Sequence, residues 1–394
     1  MTADFGLPAN GQPETLASVG EGEVLRRIFP RLPHSDAELL GPGDDAALLR
    51  APDGRYVVTT DMMIHGPDFR TAWSTPHDLG WKAAMTNLAD VAAMGARPTA
   101  LVVAIAAPLD TPVPVLLGIA DGLRDACVLA APGCGVVGGD LSVSSTLTLA
   151  VTAFGDLEGR APVTRAGARP GDVVAVAGDL GRAGAGIWLL FRDAMRPADD
   201  EVLDADSSAA GHDSAADITV TGGRAGIGGG ADGGRGAPAG GDPDAALGRA
   251  LRAAHPELIE AQLAPRPPIG TGVVAAAGGA TAMLDVSDGL LLDARRIAQA
   301  SGCIIRFDPA AIESEARAVT ATDDVVGARA ADFVLAGGED HALLATFPSS
   351  APLPAGFRRL GEVVGGEPAV LIGDRPADER GGWDPYADWN GQAG

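Results

Sequence analysis

Apolar and polar positions follow one another along this chain in blocks that read in turn as helix and strand. Residues 16–32, LASVGEGEVLRRIFPRL, carry a helical spacing that Pro30 and Pro33 bring to an end. GPGDDAALL (41–49) is a turn entering a strand, and RYVVTTD (55–61) is the next strand, apolar at first and polar at its end. Thr75 suits an N-cap and Pro76 the first position of the helix that follows, and Gly95 and Pro98 close it. Its segment HDLGWKAAMTNLADVAAM is apolar on nearly every side, which predicts a buried helix. TALVVAIAA (99–107) then reads as a buried strand, PVPVLLGIADGLRDACVLA as a helix and TLTLAVTAFG (146–155) as an alternating strand.

A break rich in Gly and Pro at 155–170 precedes VVAVAGDLGRAGAGIWLLF, a strand, a glycine turn and a helix. ALGRALRAAHPELIEAQLAP reads as one helix that runs to Pro265, Pro267 and Pro268. ATAMLDVSDGLLLDARRIAQASG (280–302) is a strand, an acidic junction and an amphipathic helix, with Ser287 as candidate N-cap. FVLAGGEDHALLATF (333–347) repeats the design of apolar strand, glycine and acids, and the tail GGWDPYADW is aromatic. Residues 199–244 break the pattern with 12 glycines and 10 acids against two arginines, so a disordered surface insertion is expected there. The chain thus divides into two α/β units, 1–155 and 156–394, the second carrying the insertion.

Composition removes several function classes. A net charge of −23 argues against a nucleic-acid partner, which needs a basic face. No apolar run reaches the roughly 18 residues of a membrane helix, and the first residues lack a secretory signal, which predicts a cytoplasmic protein with no membrane partner. Cys127, Cys134 and Cys303 form no CxxC pair, so neither a disulfide framework nor a zinc site is expected. Lys82 is the single lysine, so the chain has no GxxxxGK[ST] phosphate loop and no protein-kinase strand lysine in its usual setting. The GxGxxG at Gly228, Gly230 and Gly233 follows no predicted strand and opens no helix, and it reads as composition alone. There is no GxSxG or HExxH, and His65 and His77 have no partner evident in sequence and read as surface or structural residues.

What recurs is a carboxylate where an apolar element meets a turn: Asp44 and Asp45, Asp61, Asp90, Asp140, Asp285 and Asp288, Glu339 and Asp340. Any one of them alone reads more readily as a cap or an exposed turn acid. Gathered in one cleft, each pair at about 4 Å would repel by about 4 kcal/mol at an effective dielectric near 20, so cations would be needed. Magnesium suits such a set because it takes oxygen ligands and shares its shell with phosphate and water. Asp61 with Thr59 and Thr60 offers three oxygen donors in succession, and Asp90 interrupts an otherwise apolar helix. The glycines before Asp140 let backbone amides approach a phosphate, and Arg165 is either a phosphate clamp or an exposed turn residue.

In order, GPGDDAALL, VVTTDMMIHGPDF, NLADVAAMGA, GGD, TRAGARPGD, LDVSDGL and LAGGEDHALL resemble the thiamine-monophosphate kinase family, within the aminoimidazole ribonucleotide synthetase-like superfamily. The resemblance implies a two-domain α/β (α+β) fold whose N-terminal sheets pair across a homodimer. It also implies transfer of the γ-phosphoryl group of ATP to thiamine monophosphate. Asp45, Asp90, Thr59, Thr60 and Asp61 would hold Mg2+ ions, Asp140 would bind metal with Gly139 against ATP, and Asp285 and Asp288 would complete the set. Arg165 and Ser287 would contact ATP, and Glu339 and Trp383 the thiamine moiety. The acceptor is already a phosphate oxygen, so no general base is expected.

The chain departs from the family pattern at Asp68, which stands where a substrate-contacting histidine is usual, and at His341, where an aromatic residue is common. A related ATP-dependent enzyme with another acceptor, and a silent nucleotide- or cation-binding dimer, remain as alternatives. GGED and Trp383 favour the thiamine-monophosphate kinase reading over the first alternative, and the intact set of acids speaks against the second.

Overall fold

The computed structural model describes residues 13–42, 46–197 and 241–377. Its first part contains α1 (Leu16–Val19), α2 (Glu21–Ile28), β1 (Glu38–Leu40), β2 (Leu48–Leu49), β3 (Val57–Ile64), α3 (Pro76–Ala93), β4 (Arg97–Ala107), α4 (Val113–Ala130), β5 (Gly135–Val143) and β6 (Thr148–Asp156). Then follow β7 (Val173–Ala177), α5 (Arg182–Asp193), β8 (Met195–Pro197), β9 (Gly241–Pro243), α6 (Ala245–Ala254), α7 (Pro256–Leu263) and α8 (Thr271–Ala277). The last part is β10 (Ala282–Val286), α9 (Leu290–Ser301), β11 (Ile304–Phe307), α10 (Pro309–Thr322), α11 (Ala330–Ala336), β12 (Ala342–Phe347), β13 (Arg358–Val364), β14 (Ala369–Ile372) and β15 (Arg375–Pro376). Among the described residues no helix is long and apolar enough to cross a membrane.

Two sheets organise these elements. One has the order β3-β6-β4-β5 and the other β10-β12-β7-β13-β11-β14-β15. Among the described strands only β4–β5 and β11–β14 pair in parallel, which makes the fold α+β rather than doubly wound. Met283, Ala345 and Ala175 lie side by side on one face of the larger sheet and join the core around α3. Leu284, Leu344 and Val176 face the other way, onto Leu189, Leu190, Ile297 and Val334 of α5, α9 and α11.

Helix α3 lies between the sheets, touching β3, β4 and β6 on one side and β10 and β12 on the other. That sandwich accounts for its all-round apolar sequence, and 15 of its 18 residues are buried. Thr75 and Asp78 form a capping box at its start, with Pro76 at the first position as predicted. Gly80 lets α4 approach closely, since a Cβ there would stand 1.9 Å from the carbonyl oxygen of Ile119.

Several local expectations are corrected. The helix read over 16–32 is broken at Gly20, whose φ of 77° and extended ψ no helix accepts. The helix read from 246 to the proline at 265 is two helices, because Pro256 cannot supply an amide to the first and instead opens the second. Strand β3 continues past Asp61 to Ile64, paired with β6 along its whole length. Gly289, not Ser287, occupies the N-cap of α9. Phe333 to Ala336 close helix α11, so the GGED acids precede a strand instead of following one. Of the segment 199–244, residues 199–240 lie outside the described residues; 241–244 form β9, paired with β8, and the Asp244 cap of α6.

Candidate active site

The edge strands β3 and β10, with α3 between them, bring one group of acids together. On β3, Thr59 pairs laterally with Ala153 and Asp61 with Val151, both on the face packed towards the helices. The Thr59 hydroxyl donates to Asp90 Oδ2 of α3 at 2.9 Å, and the Asp61 amide donates to Asn87 Oδ1 at 3.0 Å. Asp285, at the end of β10, is buried and bonded to His341 Nδ1 at 3.0 Å. Asp288 follows in the β10–α9 turn and is paired with Arg296.

Lateral pairing also fixes which residues cannot meet. Thr60 points to the opposite face, and its hydroxyl donates to the Val151 carbonyl at 3.0 Å. Asp140 is paired with Ala104, Ala104 with Ala150 and Ala150 with Met62, so Asp140 lies on that opposite face too. It also lies three strands from β3, roughly 14 Å at ~4.8 Å per strand. Within one chain, Asp140 and its neighbour Gly139 therefore stand apart from Asp61, Asp90 and Asp285. Gly139 has a packing reason of its own, because a Cβ there would come within 1.9 Å of the carbonyl oxygen of Val103. Asp45 and Trp383 lie outside the described residues.

The electrostatics mark the acids as short of positive charge. Burial, then Asp285 and Asp61, push the Asp90 carboxyl up to about 7 against the Thr59 hydrogen bond. Desolvation raises Asp61 as well; His341 opposes the rise, and Asp285 and Asp288 add to it. Asp293 of α9 is raised to about 7, mainly by burial, although it sits beside Arg296. Among the described residues no three His, Cys, Asp or Glu side chains converge as a finished metal cage. Beside the acids opens a cleft of about 1030 Å³ lined by Tyr56, Thr59, Asp90, Arg165, Met283 and Asp285.

A second group of charges surrounds Glu339, in the loop between α11 and β12. Its Oε1 meets Lys82 Nζ of α3 at 2.8 Å, and its Oε2 accepts from the side-chain amide of Gln262. Burial works against the charge of Glu339, but Lys82 and Gln262 outweigh it and hold the carboxyl below its ordinary range. Its amide donates to the Ser287 carbonyl at 2.8 Å, so this loop is tied to the acidic turn. Asp68 accepts from the Ile64 amide at 2.7 Å and is raised by desolvation, with Glu339 adding to the effect.

Sequence reasoning did not single out Asn87, Gln262 or Asp293, and it named Lys82 and His341 without partners. The available signal was a lone lysine inside a helix too apolar to leave a charge unpaired.

The family model described as AIR synthase related protein, N-terminal domain, matches residues 43–157. The thiamine-monophosphate kinase of Mycobacterium tuberculosis is 40% identical over 375 residues, covering 95% of this chain and 92% of that protein. The crystal structure of thiamine-monophosphate kinase from Stenotrophomonas maltophilia superposes with a TM-score of 0.63 at 27% identity, covering 90% of this chain and 96% of the other. A structure of AaThiL complexed with AMPPCP and TMP superposes with a TM-score of 0.62 at 26% identity, over 92% and 94% of the two chains.

Proposed function

The chain belongs to the thiamine-monophosphate kinase family, and on that premise we propose that the acids of β3, α3 and β10 and the Glu339 loop are the two sides of its active site. The enzyme phosphorylates thiamine monophosphate with ATP, yielding thiamine diphosphate and ADP, the activity carried by its relatives. The single observation that supports the placement is the convergence of Thr59, Asp61, Asp90 and Asp285 beside a cleft that Arg165 also lines.

Magnesium fits this donor set. Asp61 and Asp90 are raised by burial and by their neighbours, which is the condition a divalent cation relieves. The lack of a finished cage suits an ion that takes one or two carboxylates and completes its shell with phosphate and water. Asp61, Asp90, Asp285 and Asp288 with Thr59 would share several such ions, and Asp45, Thr60 and Asp140 remain proposed ligands, Thr60 and Asp140 for an ion on the opposite face of the sheet. Bound there, magnesium would neutralise the charge that develops on the transferred phosphoryl group.

The chain's own residues would position the reactants. Arg165 and Ser287 would orient the nucleotide, with Gly139 beside Asp140. Glu339, Asp68 and Trp383 would hold the thiamine moiety. Since a phosphate oxygen attacks directly, alignment and exclusion of water would carry the catalysis and no side chain would take a proton. Direct in-line transfer requires inversion at the γ-phosphorus; retention, measured with chirally labelled ATP, would instead require a phosphoenzyme and refute this route.

The proposal includes a cytoplasmic homodimer of two-unit chains divided near residue 155. Val58 and Met62 of β3, with Ala150 and Phe154 of β6 and Val102 and Ala104 of β4, make an open apolar face. A second copy's sheet would cover it.

A further inference from the structure

We propose that Lys82 is a positioning residue of the acceptor pocket, fixing the Glu339 carboxylate in the orientation that receives the cationic ring of thiamine monophosphate. The inference rests on the assignment of Glu339 to that substrate. Lys82 is 4% exposed on a helix that is otherwise largely apolar, a costly place for an ammonium unless it is paired. It has two partners, Glu339 Oε1 at 2.8 Å and the Gln262 carbonyl at 3.2 Å. The Gln262 side chain takes the other Glu339 oxygen. Both oxygens are thereby held, yet 38% of the Glu339 side chain stays exposed and open to a ligand.

The backbone supports the same reading. Glu339 and His341 both adopt left-handed conformations, with φ of 66° and 52°, which L residues rarely hold without compensating contacts. Besides the Glu339 and His341 amides, which donate to the Ser287 and Val286 carbonyls, three side-chain anchors supply those contacts. Asp340 accepts from the Gly181 and Ala183 amides of α5, His341 bonds Asp285 of β10, and Glu339 reaches Lys82 of α3. Only the last links the loop to the helix that also carries Asp90. Facing Glu339 are Lys82 from α3, Asp68 from the β3–α3 connection and His341 from its own loop. Removing Lys82 leaves the burial and the Asp68 charge, and both favour a protonated, misoriented Glu339.

The test is steady-state kinetics on the full chain with ATP saturating, from about pH 5.5 to 8.5. KM for thiamine monophosphate is taken as the ratio of variant to wild type, so that the substrate's own ionisations cancel. For Lys82→Met we expect a KM ratio of about tenfold or more at pH 7, growing as pH falls, with kcat and KM for ATP within about threefold and partial recovery in Lys82→Arg. Gln262→Leu, which leaves the lysine in place, is expected to raise KM by about threefold, and it carries the test if Lys82→Met does not fold. A ratio near one that ignores pH, or equal losses in kcat and in KM for ATP, would overturn the inference. A wild-type chain with no turnover of thiamine monophosphate would overturn the assigned function itself, and this inference with it.

Discussion

Asp340→Asn separates two opposing effects at one buried carboxylate. Asp340 is 7% exposed, and its two oxygens accept from the Gly181 amide at 2.6 Å and the Ala183 amide at 2.8 Å, at the open end of α5. Burial pushes its carboxyl up to about 7 despite those two bonds, with Asp179 adding to the rise. The folded-state pKa therefore lies roughly three units above the ~3.9 of an unfolded aspartate, so ionisation costs nothing below about pH 4 and about 4 kcal/mol above pH 7. This group's contribution to stability is thus fully present at low pH and is lost as pH rises through 7. Asparagine does not titrate, and either orientation of its amide sets an NH2 against one backbone N–H, which costs about 1–3 kcal/mol. The variant should be less stable than wild type near pH 5, and the deficit should shrink by about 3 kcal/mol by pH 8, to parity or better. Urea unfolding followed by tryptophan fluorescence reads this directly, because Trp188 lies on α5 between Arg192 and Arg329. An equal deficit at both pH values would refute the reasoning, since it would mean that the two amides keep Asp340 ionised throughout.

Asp61→Asn and Asp90→Asn should each lower magnesium-dependent turnover by about 100-fold or more while the fold persists by circular dichroism; near-normal turnover in both would remove the metal assignment. Gly139→Ala should lower the melting temperature, because its Cβ would stand 1.9 Å from the Val103 carbonyl oxygen, and the strain should amount to about 1–3 kcal/mol or more. An unchanged melting temperature with lost ATP binding would make that glycine a ligand contact alone. Wild type is expected to sediment as a dimer in sedimentation velocity, and Met62→Glu combined with Ala104→Glu, on the open sheet face, as a monomer. A double variant that remains dimeric would move the interface elsewhere.

Local signals in the sequence were faithful where one element decided the outcome. Thr75, Pro76 and the apolar run after them specified α3 and its burial because the cap and the periodicity both lie within the helix. Which face each donor takes was not legible. Thr59, Thr60 and Asp61 look like one cluster, but strand alternation turns Thr60 away from the other two. The glycines before Asp140 read as a place for backbone amides to approach a phosphate, and they lie inside β5, where β4 approaches too closely for a side chain at Gly139. Lys82 with Glu339, and His341 with Asp285, join distant parts of the chain, and no local pattern announces such pairs.

The most direct test incubates the full chain with ATP and thiamine monophosphate over a magnesium titration and measures ADP and thiamine diphosphate together. Equal amounts of both products are expected, with a rate that requires magnesium and no ADP when thiamine monophosphate is left out. A protein that binds ATP and forms no thiamine diphosphate at any magnesium concentration would contradict that expectation.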